Sequence, residues 1–409
     1  MPSRNLCLQC KGRGFCGQKC VILERHQQKH KLIDSFKGTD FNAFTPPGVF
    51  IGWNNYPNIS FSALSSQENE RELQFYDKEE KWFGLPQEKI ISMRQNLLAS
   101  AKNFSVSQAQ NPSRDLGILQ EIALSDNSTE IELKLKSKPR TFLDFNALTS
   151  PVSSFALAEK IILTENPRIP AKAEYLSSDT DVKSVTAVME LLDSGLDLSH
   201  IQKIFSSGLL GEKKKRKIVP TRWSITALDS NISEKLINEK ILFYSEINSF
   251  QVFESNYLDN HILILLVPDS WKFEVNELWA GGSVWSPDEA QAINDFEFSR
   301  GRKSYASNVG GAYYAARLPI TQYLENKKRQ SAAIVFRKIS EGYDVPLGVW
   351  VIRETVKNAL SKRALEFYEL DLALRFIKNR LGETEFNELK SKSVLLKEIG
   401  KQKKLFEFA

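Results

Sequence analysis

Four cysteines are the residues with the clearest chemistry in this sequence, and all of them lie within its first 20 positions. One pair occurs as Cys7-Leu-Gln-Cys10, and Cys16 and Cys20 follow after a short glycine-containing segment. A Cys-x-x-Cys turn directs two thiolates at one metal ion, and four thiolates complete the tetrahedral shell that zinc prefers. The spacing therefore predicts one closed, structural zinc site without an open position for catalysis.

Other uses of these thiols are a redox pair or free cysteines. A disulfide-stapled secreted protein would distribute its cysteines along the fold, whereas none follows Cys20 here. This usage predicts a reducing, cytoplasmic compartment. His26 and His30 lie one helical turn apart and are alternative ligands, although four thiolates already complete the site. We interpret both histidines as exposed members of a basic helix.

The segment Gln402-Lys-Lys-Leu-Phe-Glu-Phe-Ala409 has a second specific spacing. One helical turn places Leu405 beside Phe408 as an apolar plug, while Gln402 forms hydrogen bonds in a neighbouring small pocket. This is the pattern of a PCNA-interacting peptide, so Gln402, Leu405, Phe406 and Phe408 are predicted to bind the sliding clamp. The alternative is that the two phenylalanines pack back onto the protein. Ala409 also stands where such peptides usually carry a second aromatic residue.

A basic segment, Lys213-Lys214-Lys215-Arg216-Lys217, precedes Arg222 and Trp223. Such a run neutralises several phosphates and binds DNA without reading its sequence, although many such runs are simply solvated loops. Arg222 is predicted to share in phosphate binding. Trp223 either stacks on a base or is buried in a strand, and we expect the buried strand.

A central set of aromatic and basic residues includes Tyr313, Tyr314, Arg317 and Arg353. Glycine pairs at 281–282 and 310–311 would let a phosphate approach the backbone, although isolated pairs are more often turns. Arg317 is the predicted phosphate ligand of this set. If the set converges with Arg222 and Trp223 in one pocket beside a perturbed carboxylate, such as Asp229 or Glu254, an enzyme is indicated.

The other catalytic patterns are weaker. Asp115, Glu132 and Lys134 faintly resemble a metal-dependent nuclease arrangement, but an alternating charged strand face explains them equally well. No Walker loop, nucleophile elbow or zinc-hydrolase motif is present. The helices expected at 181–192 and 199–205 are not interpreted as a DNA-reading helix-turn-helix. The second helix carries Lys203 as its one basic side chain, whereas a recognition helix normally presents more polar and basic side chains.

The 409 residues exceed the size of one ordinary core, and the net charge of +5 permits contact with nucleic acid without requiring it. The longest purely apolar run, residues 262–267, is far shorter than the ~20 residues that cross a bilayer, so no membrane partner is predicted.

We predict an α+β fold with five parts: a zinc-binding module at 1–35, a mixed α+β region at 36–210, a strand-rich region at 211–352, C-terminal helices at 353–400, and a flexible clamp-binding peptide at 401–409.

Several elements are predicted from periodicity. Alternation around a turn at 125–128 predicts a hairpin of strands 118–124 and 131–135, and residues 65–105 form a polar, helix-prone region. Strands at 250–254, 262–267 and 271–275 suggest a meander. Further strands are expected at 332–337 and 347–352, with helices from 353 onward.

The four-cysteine module and the clamp peptide, taken together, resemble the Nre family of archaeal DNA repair proteins. Three internal stretches are similar to the later blocks of that family: Lys217–Asp229, Ala306–Leu324 and Pro346–Glu354. Residues 51–57 match an early family block only loosely. The resemblance covers most of the chain and implies a role in DNA damage repair together with the sliding clamp and other repair proteins. It supplies no catalytic residues.

Two functions follow. The first is a non-catalytic DNA repair adaptor with structural zinc, DNA contact and a clamp-binding peptide. The second is an enzyme acting on DNA or a nucleotide, by nuclease or by nucleotidyl- or ADP-ribosyl-transfer chemistry, through the Arg222/Trp223 and Tyr313/Arg317 blocks.

Overall fold

The computed structural model describes residues 10–399, except positions 16, 18–19, 21–22, 24–25, 28–32, 35, 37, 68–72, 140–152, 282–288 and 344. Cys7, Cys16 and the predicted clamp peptide lie outside the described residues. The chain divides into two compact units. The first contains the described residues up to Leu228, and the second contains those from Asp229 onward. The segment predicted for 211–352 includes this boundary, which falls within a helix, Thr221–Glu239.

The first unit is built on a mixed sheet with the strand order β1-β5-β6-β4-β3-β2. Its β4 and β6 run parallel, and the other neighbours are antiparallel. The strands are β1 (Asp40–Thr45), β2 (Val49–Ile51), β3 (Asn58–Ser65), β4 (Leu98–Ser105), β5 (Thr129–Leu135) and β6 (Ser154–Leu163). The helices are α1 (Gln87–Gln95), α2 (Arg114–Leu124), α3 (Ala171–Ser178), α4 (Ser184–Asp193) and α5 (Leu198–Ser206).

One face of this sheet packs against α2. Ile59, Phe61 and Ala63 alternate along β3 and share a core with Leu116 and Leu119 of α2. Alternate residues of a strand point to one face, so this spacing delivers three apolar side chains to the helix. The core therefore fixes the register of β3, since a shift by one residue would turn these side chains away from α2.

The hairpin predicted from strands 118–124 and 131–135 is wrong, because residues 118–124 belong to α2. The Ser113 hydroxyl accepts a hydrogen bond from the Leu116 N–H at 3.4 Å and thereby caps the helix. Leu116, Leu119 and Ile122 then recur at helical spacing and are buried. The predicted partner strand is real: it is β5, which pairs instead with β1 and β6.

The second unit contains a mixed sheet with the strand order β10-β9-β11-β8-β7-β12. The strands are β7 (Phe250–Tyr257), β8 (Asn260–Val267), β9 (Lys272–Trp279), β10 (Gln291–Glu297), β11 (Ala332–Ile339) and β12 (Leu365–Phe367). The helices are α6 (Thr221–Glu239), which begins in the first unit, α7 (Gly311–Lys327), α8 (Trp350–Ser361), α9 (Leu370–Leu381), α10 (Glu383–Lys392) and α11 (Val394–Ile399).

Helices cover both faces of this second sheet. Leu263, Leu265 and Val267 of β8 share a core with α9, α10 and α11. The intervening residues of β8 point to the opposite face, and α8 packs against both β7 and β8. Because both faces of the sheet are covered, every side chain of residues 262–267 in β8 can be apolar, which explains the continuous apolar run in the sequence.

Several predicted elements are confirmed, and others are corrected. Helices α4 and α5 and the strands at 250–254, 262–267 and 332–337 are present. The strand predicted at 347–352 is wrong, since α8 begins at Trp350. The meander is also wrong in its order, because β11 lies between β8 and β9. The helix-prone region 65–105 contains α1 but ends in β4. The described residues thus form a mixed helix-and-strand fold, and no helix among them is long and apolar enough to span a bilayer.

Candidate functional site

Cys10 lies in a tight turn whose backbone surrounds its sulfur. The N–H of Phe15 donates to Cys10 Sγ at 3.3 Å, and the N–H of Arg13 donates to the Cys10 carbonyl at 2.9 Å. Lys11 and Gly12 adopt φ angles of 46° and 79°, the left-handed region that turns the chain back over the sulfur. The side chain of Cys10 is buried in this turn.

The turn also lowers the pKa of the thiol. Desolvation raises the pKa of Cys10, but the N–H groups of Phe15, Gly14, Arg13 and Gly12 outweigh it and lower the pKa below its usual value. A thiolate is the form of cysteine that binds zinc, so the surroundings of Cys10 fit a metal ligand. Cys20 is half-buried and forms no disulfide bond with Cys10, the other cysteine in the described part of the chain.

Among the residues that the structure describes, no group of three or more potential ligands lies together. Two of the four predicted ligands, Cys7 and Cys16, fall outside that part of the chain. His26 is described, whereas His30 is not. The zinc site stays a prediction.

The basic segment, residues 213–217, lies on the surface of the first unit. Its first three residues form one turn of 3₁₀ helix, and Lys213, Lys214, Lys215 and Lys217 are exposed. Lys215 forms an ion pair with Glu212 at 2.8 Å, and both side chains keep access to water. Exposed lysines of this kind remain able to contact a phosphate.

Arg216 differs from its four lysine neighbours. It is half-buried and donates hydrogen bonds to the carbonyls of Gly211 at 2.8 Å, of Ser177 at 2.9 Å, and of Asp179. A guanidinium that satisfies three backbone acceptors holds the loop in place. Arg216 therefore positions the lysines, and its own prediction as a phosphate ligand stays untested.

Arg222 and Trp223 lie in the first turn of α6, and both are exposed. The expectation that Trp223 is buried in a strand is wrong, since 43% of its surface is accessible. Its ring contacts that of Tyr56, with a centroid separation of 5.1 Å. The adjacent Thr221 accepts a hydrogen bond from the Ile51 N–H at 2.9 Å, which ties the end of β2 to the start of α6.

The sequence alone does not identify Trp53 and Tyr56 as candidate site residues. Both lie in the turn after β2. Trp53 is 50% exposed and Tyr56 is 48% exposed. The signal that was available is a tryptophan and a tyrosine in a Gly/Asn turn without charges or apolar periodicity. The proximity of Tyr56 to Trp223 depends on a contact between distant parts of the chain, which no local pattern contains.

Arg317 lies inside the second unit, with 2% of its surface exposed. Its guanidinium pairs with Glu297 at 2.7 Å and donates to Ser233 Oγ at 3.0 Å. The rings of Tyr313 and Tyr314 lie 5.7 and 5.2 Å from its central carbon. The desolvated guanidinium is thus matched by protein acceptors, as buried arginines require. The predicted contact between Arg317 and a phosphate is not tested by this arrangement.

The predicted glycine pairs have a local explanation where they are described. Gly310 has φ 68° and ψ −140° and immediately precedes α7. A residue with a Cβ atom would be strained there, so the turn accounts for this glycine. Gly281 is described, whereas Gly282 lies outside the described residues.

Asp229, on α6 in the second unit, has the most perturbed surroundings of the central carboxylates. It is fully buried, and neither carboxylate oxygen has a hydrogen-bond partner among the described residues. Burial raises its pKa to about 6, against the opposing charges of Arg353 and Arg317. Arg353 Nε lies 3.5 Å from Asp229 Oδ1. The second unit therefore brings together one residue from each of the three family-like blocks.

Glu254 shows the opposite behaviour. Burial raises its pKa, but hydrogen bonds from Arg380 and His261 outweigh this effect and lower it. The Arg380 and His261 nitrogens lie 2.8 and 2.7 Å from Glu254 Oε1. Of the two carboxylates named as indicators of an enzyme, Asp229 alone has a raised pKa. It lies in the second unit, whereas Arg222 and Trp223 belong to the first.

Two members of the nuclease-like set, Asp115 and Lys134, form ion pairs with residues outside the set. Asp115 pairs with Lys102 at 2.6 Å, and Lys134 pairs with Glu159 at 3.1 Å. Asp115 belongs to α2, whereas Glu132 and Lys134 belong to β5. These contacts favour the interpretation of a charged strand face.

Comparison with known proteins covers almost the whole chain. Residues 15–286 match the family model described as Archaeal Nre, N-terminal, and residues 297–408 match Archaeal Nre, C-terminal. No solved structure matches.

Three relatives are similar along their full length. DNA repair protein NreA of Archaeoglobus fulgidus is 34% identical over 95% of this chain and 97% of its own. DNA repair protein NreB of the same organism is 32% identical over 98% of this chain and 99% of its own. DNA repair protein NreA of Haloferax volcanii is 30% identical over 95% of this chain and 93% of its own. With both family models and three full-length relatives in agreement, the chain belongs to the archaeal Nre family.

Proposed function

We propose that this protein is a DNA repair accessory factor that contacts DNA through the first unit and binds the PCNA sliding clamp through residues 402–408. The observation that carries the proposal is the similarity, over 95–98% of the chain, to three proteins named DNA repair proteins. Action in the cytoplasm, with other repair proteins as partners, is part of the proposal. The exposed lysines of the basic segment support the contact with DNA.

The charge around the basic segment suits a polyanion. Residues 213–228 include six basic side chains and no acidic ones. Four of the six are the exposed lysines at 213, 214, 215 and 217, and Arg222 is a fifth exposed cation. Ammonium groups on flexible stems form phosphate contacts without a fixed geometry. Such a surface binds DNA of any sequence, and its affinity falls steeply with salt.

Replacing these four lysines with alanine is expected to weaken DNA binding and reduce its salt dependence. Each lost phosphate contact lowers the slope of log K against log salt by about 0.9 for duplex DNA. Fluorescence anisotropy with a labelled duplex at several salt concentrations measures both quantities. The control removes equal charge from exposed positions of the second unit, at Lys357, Lys390, Lys392 and Lys397. Equal slopes for the two variants would contradict the assignment.

The proposed cofactor is a structural zinc ion held by Cys7, Cys10, Cys16 and Cys20. The support is the sequence spacing, together with the turn that surrounds Cys10 Sγ. Hydrogen bonds from the backbone to a ligand atom orient it and adjust its charge in metal sites. Zinc would hold the N-terminal turns together, because so short a segment buries little apolar surface by itself.

Cys10→Ser is expected to lower the zinc content from about one per chain to near zero, because three thiolates hold zinc less tightly. Mass spectrometry of the metal content of the purified protein measures this change. His26→Ala is the control and should keep its zinc. Zinc retained by Cys10→Ser, or lost from His26→Ala, would contradict the four-cysteine assignment.

The clamp contact is proposed for Gln402, Leu405, Phe406 and Phe408. Two positions separate Ile399, the end of α11, from Gln402. Helix α11 is fixed on the second unit, because Leu395 and Leu396 are buried and Glu274 accepts hydrogen bonds from the N–H groups of residues 394 and 395. A bound clamp would therefore lie within about 10 Å of this helix, the reach of three extended residues.

Phe408→Ala is expected to weaken clamp binding at least about 10-fold, because an aromatic anchor in a pocket supplies a large share of such affinity. Calorimetric titration against the trimeric clamp measures the dissociation constant. Glu407→Ala is the matched control, since it changes a neighbouring side chain outside the predicted plug. The assignment of the peptide fails if Phe408→Ala binds as tightly as the unaltered chain.

A further inference from the structure

Three exposed aromatic side chains form a group on the first unit: the ring of Tyr56 contacts that of Trp223, and Trp53 lies in the same turn as Tyr56. We call this the aromatic patch and define it as Trp53, Tyr56 and Trp223, which are 50%, 48% and 43% exposed. Single exposed aromatics are common on protein surfaces, but a group of them leaves apolar area in water and marks binding surfaces. Other aromatic side chains of the described chain, such as Tyr175 and Phe243, are also exposed, so the contact between the exposed rings of Tyr56 and Trp223 is what makes this group a candidate surface.

Backbone hydrogen bonds hold the patch in place. Within the turn, the Tyr56 N–H donates to the Trp53 carbonyl at 3.4 Å. At its end, the Val106 N–H donates to the Pro57 carbonyl at 3.0 Å. On the other side, the Ile51 N–H donates to Thr221 Oγ1 at 2.9 Å, two residues before Trp223. The rings therefore project from a turn that is fixed by hydrogen bonds and from the first turn of a helix. This restricted backbone lowers the conformational entropy lost on binding.

The ring geometry leaves aromatic surface accessible. The Tyr56 and Trp223 centroids lie 5.1 Å apart, and the ring planes are inclined by 53°. Rings at this inclination do not cover each other as a parallel stack would. The remaining exposed area suits a flat, aromatic partner.

Charge identifies the chemistry of that partner. Residues 48–65, which contain Trp53 and Tyr56, include no charged side chain. Trp223 follows the exposed Arg222 directly, and Arg222 is the fifth residue after Lys217, a span of at most about 18 Å. The patch is therefore flanked by positive charge, and its ligand must combine aromatic faces with negative charge. Single-stranded nucleic acid has both.

We propose that the aromatic patch stacks on unpaired bases of single-stranded DNA, while Arg222 and the exposed lysines of the basic segment contact its phosphates. The inference rests on the proposed contact with DNA and specifies its substrate. Bases in a duplex already stack on one another, so their faces are covered and only their edges and the phosphates are accessible. Aromatic side chains gain by stacking when the bases are unpaired, and every base offers a face.

Three probes separate stacking from charge. They are a thymidine oligonucleotide of about 20 nucleotides, an abasic oligonucleotide of equal length, and a duplex. The abasic strand keeps the phosphates and lacks the bases. Trp223→Ala is expected to weaken binding of the thymidine oligonucleotide by about 5- to 100-fold, and to change binding of the other two by less than about 2-fold. Tyr56→Ala is expected to act in the same direction.

Two further variants control for structure. Trp223→Phe keeps an aromatic ring and should retain most of the single-strand affinity. Tyr175→Ala removes an exposed tyrosine whose ring is packed by Lys172 in the same unit, and it should bind all three probes normally. Fluorescence anisotropy at constant salt measures each affinity.

Two results would overturn the inference while leaving the contact with DNA intact. One is an unchanged single-strand affinity in Trp223→Ala. The other is an equal loss for all three probes in that variant, because stacking cannot act on an abasic strand. If the unaltered protein binds none of the probes, the proposed contact with DNA fails as well. Capture of a protein partner by the patch, without single-strand binding, would also overturn the inference.

Discussion

The hydrogen bond between the Ile51 N–H and Thr221 Oγ1 fixes the surface on which the proposed contact with DNA depends. It joins the end of β2 to the first turn of α6, two segments that are 170 positions apart in the chain. Because of this contact, the turn that carries Tyr56 meets the helix that carries Trp223, and the basic segment enters that helix directly. This polar contact thus helps to hold the turn that carries Tyr56 beside the first turn of α6, which follows the basic segment in the chain.

Buried charge organises the second unit. Arg337 pairs with Glu277 at 2.5 Å across neighbouring strands, and Arg317 pairs with Glu297 at 2.7 Å. Removing one partner of such a pair typically costs about 3–5 kcal/mol, because it leaves an uncompensated charge out of water. Asp229 departs from this pattern, since its carboxylate oxygens lack hydrogen-bond partners in the described structure.

The position of Asp229 bears on the rival, enzymatic function. A carboxyl group with a pKa raised to about 6 by burial is the kind of group that active sites use for proton transfer. Buried ion pairs inside proteins perturb pKa values as well, and Arg353 lies 3.5 Å away. The adaptor remains our proposal, because the similarity to DNA repair proteins supports it without requiring a reaction.

The sequence predicted those elements whose periodicity was long and unambiguous. Helices α4 and α5 follow from repeated apolar spacing, and strand β8 follows from an uninterrupted apolar run. The sequence of residues 118–124 also fits a strand, because a seven-residue window is compatible with both the helical and the strand period, and the Ser113 cap that favours the helix lies outside that window. Burial is decided by distant contacts, so a local pattern cannot reveal it. This is why the sequence predicts a buried Trp223, whereas the structure exposes it, and why the sequence gives no sign that Arg317 is buried.

The central claim is that one chain joins DNA to the sliding clamp. Sedimentation velocity with a label on single-stranded DNA tests it directly, using the full chain, the clamp and both together. The account predicts that the labelled DNA sediments with the clamp only when the chain is present, because the first unit holds DNA while residues 402–408 hold the clamp. Release of the DNA when the clamp is added would mean that the two partners compete, and it would contradict the claim.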